Sequence, residues 1–196
     1  MDFINGLPRS RKGNTSIWVI VDRLSNSAHF IPVKRKITAV WLPLVYLCEI
    51  VRLHRVPSSI VSDHDPIFTS EFWKSLQEAL GTQLCLSTAY HPQRDGQTER
   101  VNRVLEDLLR LFILDFGGTW GKHLPSVEFA YNNSYQTSIG MAPFDALYER
   151  PCRSLTYWWE STDRLLLGPE MIRETSEKIG LIRRRMKTAQ DRQKSY

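Results

Sequence analysis

Two carboxylates in this chain sit where neighbouring elements could put them to use. Glu99 falls in the first turn of an expected helix whose apolar run is Val101, Leu105, Leu108, Leu109 and Phe112, with Thr98 as its N-cap. On that helix Glu99, Asn102, Arg103 and Glu106 stand at i, i+3, i+4 and i+7, so they share the polar face. The stretch before it carries Pro92 and Gly96 and reads as a loop. Asp63 has a different setting. The short apolar run Ile60-Val61, between Pro57 and Pro66, reads as a buried strand with the acid at its exit, where sites form in α/β sheets. An acid in a first turn also complements the helix macrodipole, so Glu99 alone carries either reading. Carboxylates on separate elements suit hard divalent cations, and a pair of such ions activates an oxygen nucleophile and stabilises a leaving oxygen at phosphorus.

Asp2, Asp63 and Glu99, with thirty-five residues between the second and third, resemble the D-D-E triad of retroviral-type integrases. The words around them narrow the resemblance: Met1-Asp2-Phe3-Ile4, Gly6-Leu7-Pro8, Ile60-Val61-Ser62-Asp63, His91-Pro92-Gln93, Asp95-Gly96-Gln97-Thr98-Glu99-Arg100-Val101-Asn102-Arg103 and Ala142-Pro143-Phe144. Residues 1–153 are similar to the integrase catalytic core of Ty3/Gypsy-type LTR retrotransposon polyproteins. The resemblance implies a ribonuclease H-like fold and a catalytic and metal-binding triad of Asp2, Asp63 and Glu99. It also implies two Mg²⁺ (or Mn²⁺) as cofactors, with retroelement DNA ends and target DNA as partners. Water would then be the nucleophile in trimming the donor end, and a DNA 3′-hydroxyl the nucleophile in joining it to host DNA in the nucleus, after synthesis in the cytoplasm. Tyr90, His91 and Gln93 in the loop, and Asn102 and Arg103 on the helix, are candidate DNA contacts; a solvated polar face is the alternative for the last two. Retroviral relatives carry a lysine seven residues after the third acid, where this chain has Glu106. The family's first acid lies on a central strand, so Asp2 is expected near the other two but poorly held, on a truncated first strand of a fragment.

The chain has 26 Lys and Arg against 21 acids, a formal charge of +5 that favours a polyanionic partner. Residues 169–196 hold eight of the bases and four of the acids, so nearly all the excess lies there, with Arg183, Arg184, Arg185 and Lys187 as a DNA-binding cluster. Cys48, Cys85 and Cys152 are far apart, which suggests neither a disulfide framework nor a cysteine-rich zinc site, and His64 with His91 does not make one. The longest apolar stretch, 40–51, is interrupted by Pro43 and Glu49, so no membrane span is expected.

The elements needed to position these residues follow from periodicity. Residues 16–22 and 28–33 read as an antiparallel hairpin, with Asp22 starting its turn rather than binding metal. Thr38 caps a helix to Leu53 carrying Trp41, Leu44, Val45, Leu47 and Ile50. Ser70 opens another, with Phe72, Trp73, Leu76 and Leu80 inward and Gly81 as C-cap. A short strand over 84–86, a helix from Trp120 to Tyr131 and a short one over 143–148 complete the core. Asp65 and Asp95 read as solvated or turn-forming acids. The predicted fold class is α/β, a mixed five-stranded sheet flanked by helices. A linker over 154–168 and a basic amphipathic helix over 169–196 follow, the latter able to pair as a homo-oligomer or to pack on its own core. Two other readings remain: a catalytically inactive retroelement remnant that binds nucleic acid, and a ribonuclease H-type nuclease, expected to show a fourth carboxylate and no His-Pro-Gln loop.

Overall fold

The computed structural model describes residues 1–34, 41–86 and 96–150, so Thr38, the 89–95 loop and the segments 154–168 and 169–196 lie outside the described residues. The chain divides into two compact units, one of Met1–Val21 with Phe30–Asn102, the other of Asp22–His29 with the residues from Arg103 on.

The described residues include five strands, in a three-stranded sheet of the first three in order and a two-stranded sheet of the last two. β1 (Asp2–Ile4) pairs antiparallel with β2 (Ser16–Val21), Asp2 opposite Val19, and β2 neighbours β3 (Ala28–Val33). Bonds from Thr15 N to Val33 O, 3.2 Å, and from Asp22 N to Ser27 O, 2.8 Å, make β2 and β3 the expected hairpin. Asp22 forms its turn, accepting from Ser25 N at 3.1 Å and Ser25 Oγ at 2.6 Å. β4 (Ser59–Ser62) pairs parallel with β5 (Gln83–Leu86). The two ladders meet at the start of β1, where Met1 N donates to Val61 O at 2.7 Å.

The first unit is built on an aromatic core. Trp18, Tyr46, Phe68 and Trp73 are each at most 1 % exposed, and Phe3 stacks on Phe68 with centroids 5.1 Å apart. Trp73 meets both Trp18 and Tyr46 edge-on, at 6.1 and 5.3 Å, the geometry that aromatic quadrupoles favour.

The helix expected to run to Leu53 begins, within the described residues, as α1 (Trp41–Tyr46), passes through a π-helical turn (Leu47–Val51) and ends as α2 (Arg52–His54). Its buried residues are Leu42, Pro43, Tyr46 and Ile50, whereas Trp41 and Leu44 are exposed. α3 (Glu71–Ala79) starts at Ser70, whose Oγ accepts from Trp73 N at 3.3 Å. Here Trp73 faces the core with Leu76 and Leu80 packed against it, as expected, joined by Gln77, while Phe72, expected inward, is half exposed. Gly81, at φ +72°, closes the helix in a conformation that costs a side-chain-bearing residue strain.

α4 (Gly96–Phe116) buries Val101, Leu105, Leu108, Leu109 and Phe112, as their spacing requires. It starts two residues before Thr98, which is therefore a buried first-turn residue and not the N-cap. In the second unit α5 (Trp120–Asn132) and α6 (Pro143–Tyr148) follow, the latter with Pro143 in its first turn, where the missing N–H is harmless. No described helix is long and apolar enough to cross a membrane.

Candidate active site

Asp2 lies on β1, Asp63 one residue beyond β4, and Glu99 in the first turn of α4, so each acid comes from a different element. All three belong to the first unit. Two contacts draw these elements together. The Met1–Val61 bond lays the start of β1 against β4, two residues before Asp63. On the other side Asn102 Nδ2 donates to Asp2 Oδ2 at 2.5 Å, tying β1 to α4 one turn beyond Glu99.

The expectation that Asp2 is poorly held is corrected by this geometry. Its Oδ2 is held by Asn102 and its Oδ1 accepts from Phe3 N at 2.7 Å, so both oxygens are engaged and the side chain is half-buried. A helix residue a hundred positions away supplies what a short strand does not. Asp63 is also half-buried, and its Oδ1 is sealed from solvent, while Glu99 is exposed. Ser62, which precedes Asp63, is fully buried with an Oγ that makes no hydrogen bond.

The donor set has the chemistry a hard divalent cation takes. Asp2, Asp63 and Glu99 offer carboxylate oxygens, the hard donors that such ions prefer. Among the described residues, no group of three His, Cys, Asp or Glu side chains is already gathered around one point. Glu99 is exposed and has three side-chain torsions, one more than the two aspartates.

Of the other candidates, Arg103 is exposed on α4, and Asn102 bonds Asp2. Tyr90, His91, Gln93, Arg183, Arg184, Arg185 and Lys187 lie outside the described residues. His64 is exposed. Asp65 forms a turn, as expected: its Oδ1 accepts from Ile67 N at 2.8 Å and its carbonyl from Phe68 N at 3.0 Å. A cleft of about 190 Å³ opens beside β1, with Phe3, Asn5, Ser16, Lys34 and Asp65 among its lining. Nothing in the local sequence marks Lys34 for this opening, because only strand pairing sets the ends of β1, β2 and β3 around it.

No family profile matches the chain. Over 148 residues, 76 % of its length, it is 36 % identical to the Tf2-3 and Tf2-4 transposon polyproteins of Schizosaccharomyces pombe, and it spans 11 % of the length of each. Among solved structures, the catalytic core domain of BIV integrase aligns with a TM-score of 0.58 and 26 % identity, over 76 % of this chain and 92 % of that one. The HTLV-2 integrase catalytic core domain in complex with magnesium aligns at 0.57 and 18 %, over 73 % and 99 %. A chain of the simian T-cell lymphotropic virus intasome aligns at 0.64 and 18 %, over 78 % and 55 %.

Proposed function

The chain is a relative of the Ty3/Gypsy-type Tf2 transposon polyproteins and has the ribonuclease H-like fold of integrase catalytic cores; from that premise we propose that it trims the 3′ ends of retroelement DNA and joins them to target DNA. The observation that supports this most is the Asn102–Asp2 hydrogen bond, which brings the strand of the first acid to the helix of the third.

In this reading Asp2, Asp63 and Glu99 hold two Mg²⁺ (or Mn²⁺), the HTLV-2 core in complex with magnesium being the related case. Bound there, the ions neutralise charge at the phosphorus and polarise the attacking and departing oxygens. The chain's own part is to present the oxygens. Asp2 arrives pre-oriented by two donors, Asp63 has one oxygen shielded from water, and Glu99 closes onto the site from the exposed start of α4. In trimming, a water oxygen attacks the phosphorus and the 3′-oxygen of the donor strand departs. In joining, the freed 3′-hydroxyl attacks a target phosphodiester, and the target's own 3′-oxygen departs.

Tyr90, His91, Gln93 and Arg103 would contact the donor end, with Arg183, Arg184, Arg185 and Lys187 gripping phosphates without sequence preference. Two DNA substrates must be held at once, so a homo-oligomer acting in the nucleus fits; the intasome and the dimeric and trimeric HTLV-2 cores are assemblies of related fold.

The test is a donor-end duplex labelled on the strand to be trimmed, incubated with the chain and Mg²⁺ or Mn²⁺. Metal-dependent shortening and joined products are expected, both lost in Asp63→Asn while the melting curve keeps its shape. Binding without any rearrangement of the DNA, with either metal, would instead mark a nucleic-acid-binding remnant. Cleavage confined to the RNA strand of a hybrid would mark a nuclease.

A further inference from the structure

We propose that Arg52 and Arg55 form a phosphate-binding point for duplex DNA at the entry to β4, and that Arg55 stands in a strained backbone conformation because its guanidinium serves there. The inference rests on the reading of the chain as a DNA-binding protein and adds a contact that the triad does not make.

Arg55 has φ +69° and ψ −177°. Glu149, another non-glycine residue at positive φ, lies in the ordinary left-handed region at φ 54° and ψ 24°, whereas the conformation of Arg55 is essentially reserved for glycine. Its surroundings impose it. Arg55 N donates to Val51 O at 2.9 Å at the end of α2, and Val56 precedes Pro57, which confines Val56 to extended backbone. Beyond it, Thr82 Oγ1 donates to Pro57 O at 2.9 Å and Gln83 N to Ser58 O at 2.9 Å, so the entry to β4 is anchored on the start of β5. The reversal between helix and strand therefore falls on residue 55. A glycine would make it without strain, and an arginine stands there instead.

The side chains supply the ligand chemistry. Arg52 Nε donates to Cys48 O, in the π-helical turn, at 2.9 Å. Neither its two terminal nitrogens nor the Arg55 guanidinium make another hydrogen bond or ion pair among the described residues. Both arginines are exposed, as are Ser58 and Ser59 after them, and no acid stands between Glu49 and Asp63 in the chain. Guanidinium groups followed by hydroxyls match the oxygens of a phosphodiester. Cations at the end of a helix also complement its dipole, which accounts for Arg52 but leaves the strain at Arg55 unexplained. β4 runs for four residues, roughly 13 Å, between this point and Asp63, so the phosphate held here is a different one from the phosphate at the triad.

Binding of the full chain to a duplex of arbitrary sequence over a range of salt, with the melting temperature of each variant, tests this. Arg55→Gly should melt roughly 2 to 6 °C higher as the strain is released. Its slope of log affinity against log salt should nevertheless fall by about 0.9, the loss of one phosphate contact. Arg55→Lys keeps both the charge and the strain and should follow wild type in both measurements. Arg52→Gln should lower the slope by the same amount with no rise in melting temperature. A wild-type slope in Arg55→Gly or in Arg52→Gln overturns the contact, and an unchanged melting temperature in Arg55→Gly overturns the argument from strain. A wild-type chain that binds the duplex with no dependence on salt sinks the DNA reading and this inference together. A salt-dependent wild type whose Arg52 and Arg55 variants follow it sinks this inference alone.

Discussion

The phenol of Tyr46 is 1 % exposed between Trp18 and Trp73, and its hydroxyl makes no hydrogen bond. Burial penalises the phenolate and pushes the pKa from 10.0 up to about 12. The unfolded chain therefore releases this proton first, so the contribution is intact below pH 10 and is lost as pH climbs through 12. The loss is worth roughly 2 to 3 kcal/mol, at about 1.4 per pKa unit. Denaturant unfolding between pH 9 and 12 should show that decline, and Tyr46→Phe should remove it. Tyr46→Phe should also be neutral or stabilising at pH 7, since it deletes a buried donor without a partner, a group that costs about 1 to 3 kcal/mol. At this scale the site was partly legible. Asp63 and Glu99 announce themselves by standing at a strand exit and in a helix's first turn. Asn102 does not, because helical spacing gives the face a residue lies on but not the strand that meets that face.

At the scale of elements, one side chain does the work of a strand partner. Asn132, the last residue of α5, accepts from Ala28 N through Oδ1 and donates to Ala28 O through Nδ2, both at 2.8 Å and both buried. Asn132→Leu leaves two backbone groups unpaired, and chemical denaturation should register a loss of roughly 1 to 3 kcal/mol for each. Ser70→Ala, by contrast, removes the cap of a helix whose start is partly solvated, and a loss of about 1 kcal/mol in the same measurement is expected. The Ser70 cap was readable from residue order, as were the hairpin and the buried stripe of α4. The exposure of Phe72 was not, since Phe72 and Trp73 are adjacent and apolar and only tertiary packing chooses between them. The role of Asn132 was not readable either, because its partner is a hundred residues away.

For the molecule as a whole, the charge asymmetry makes a quantitative claim. Replacing Arg183, Arg184, Arg185 and Lys187 with Gln should lower the slope of log affinity against log salt by roughly 3 to 4, at about 0.9 per phosphate contact. An unchanged slope would hand these residues to another role. The order of elements was legible, because each strand and helix carries its own period, whereas the division of the described strands into a three-stranded and a two-stranded sheet was not. What periodicity does not carry is a change of helical pitch, and the π-helical turn at Leu47–Val51 is such a change. It holds one residue more than an α-helical turn of the same span needs. The chain therefore has slack there, ahead of β4 and Asp63. Deleting the exposed Cys48 should rewind the turn as α-helix and leave Ser59–Ser62 in register with Gln83–Leu86, so the shortened chain keeps a cooperative melt. The same deletion at Ser75, inside α3, finds no slack and should abolish it. Natural relatives of different length would then be expected to gain or lose residues at this turn first, so a fold with a fixed catalytic spacing carries its own place for length to vary.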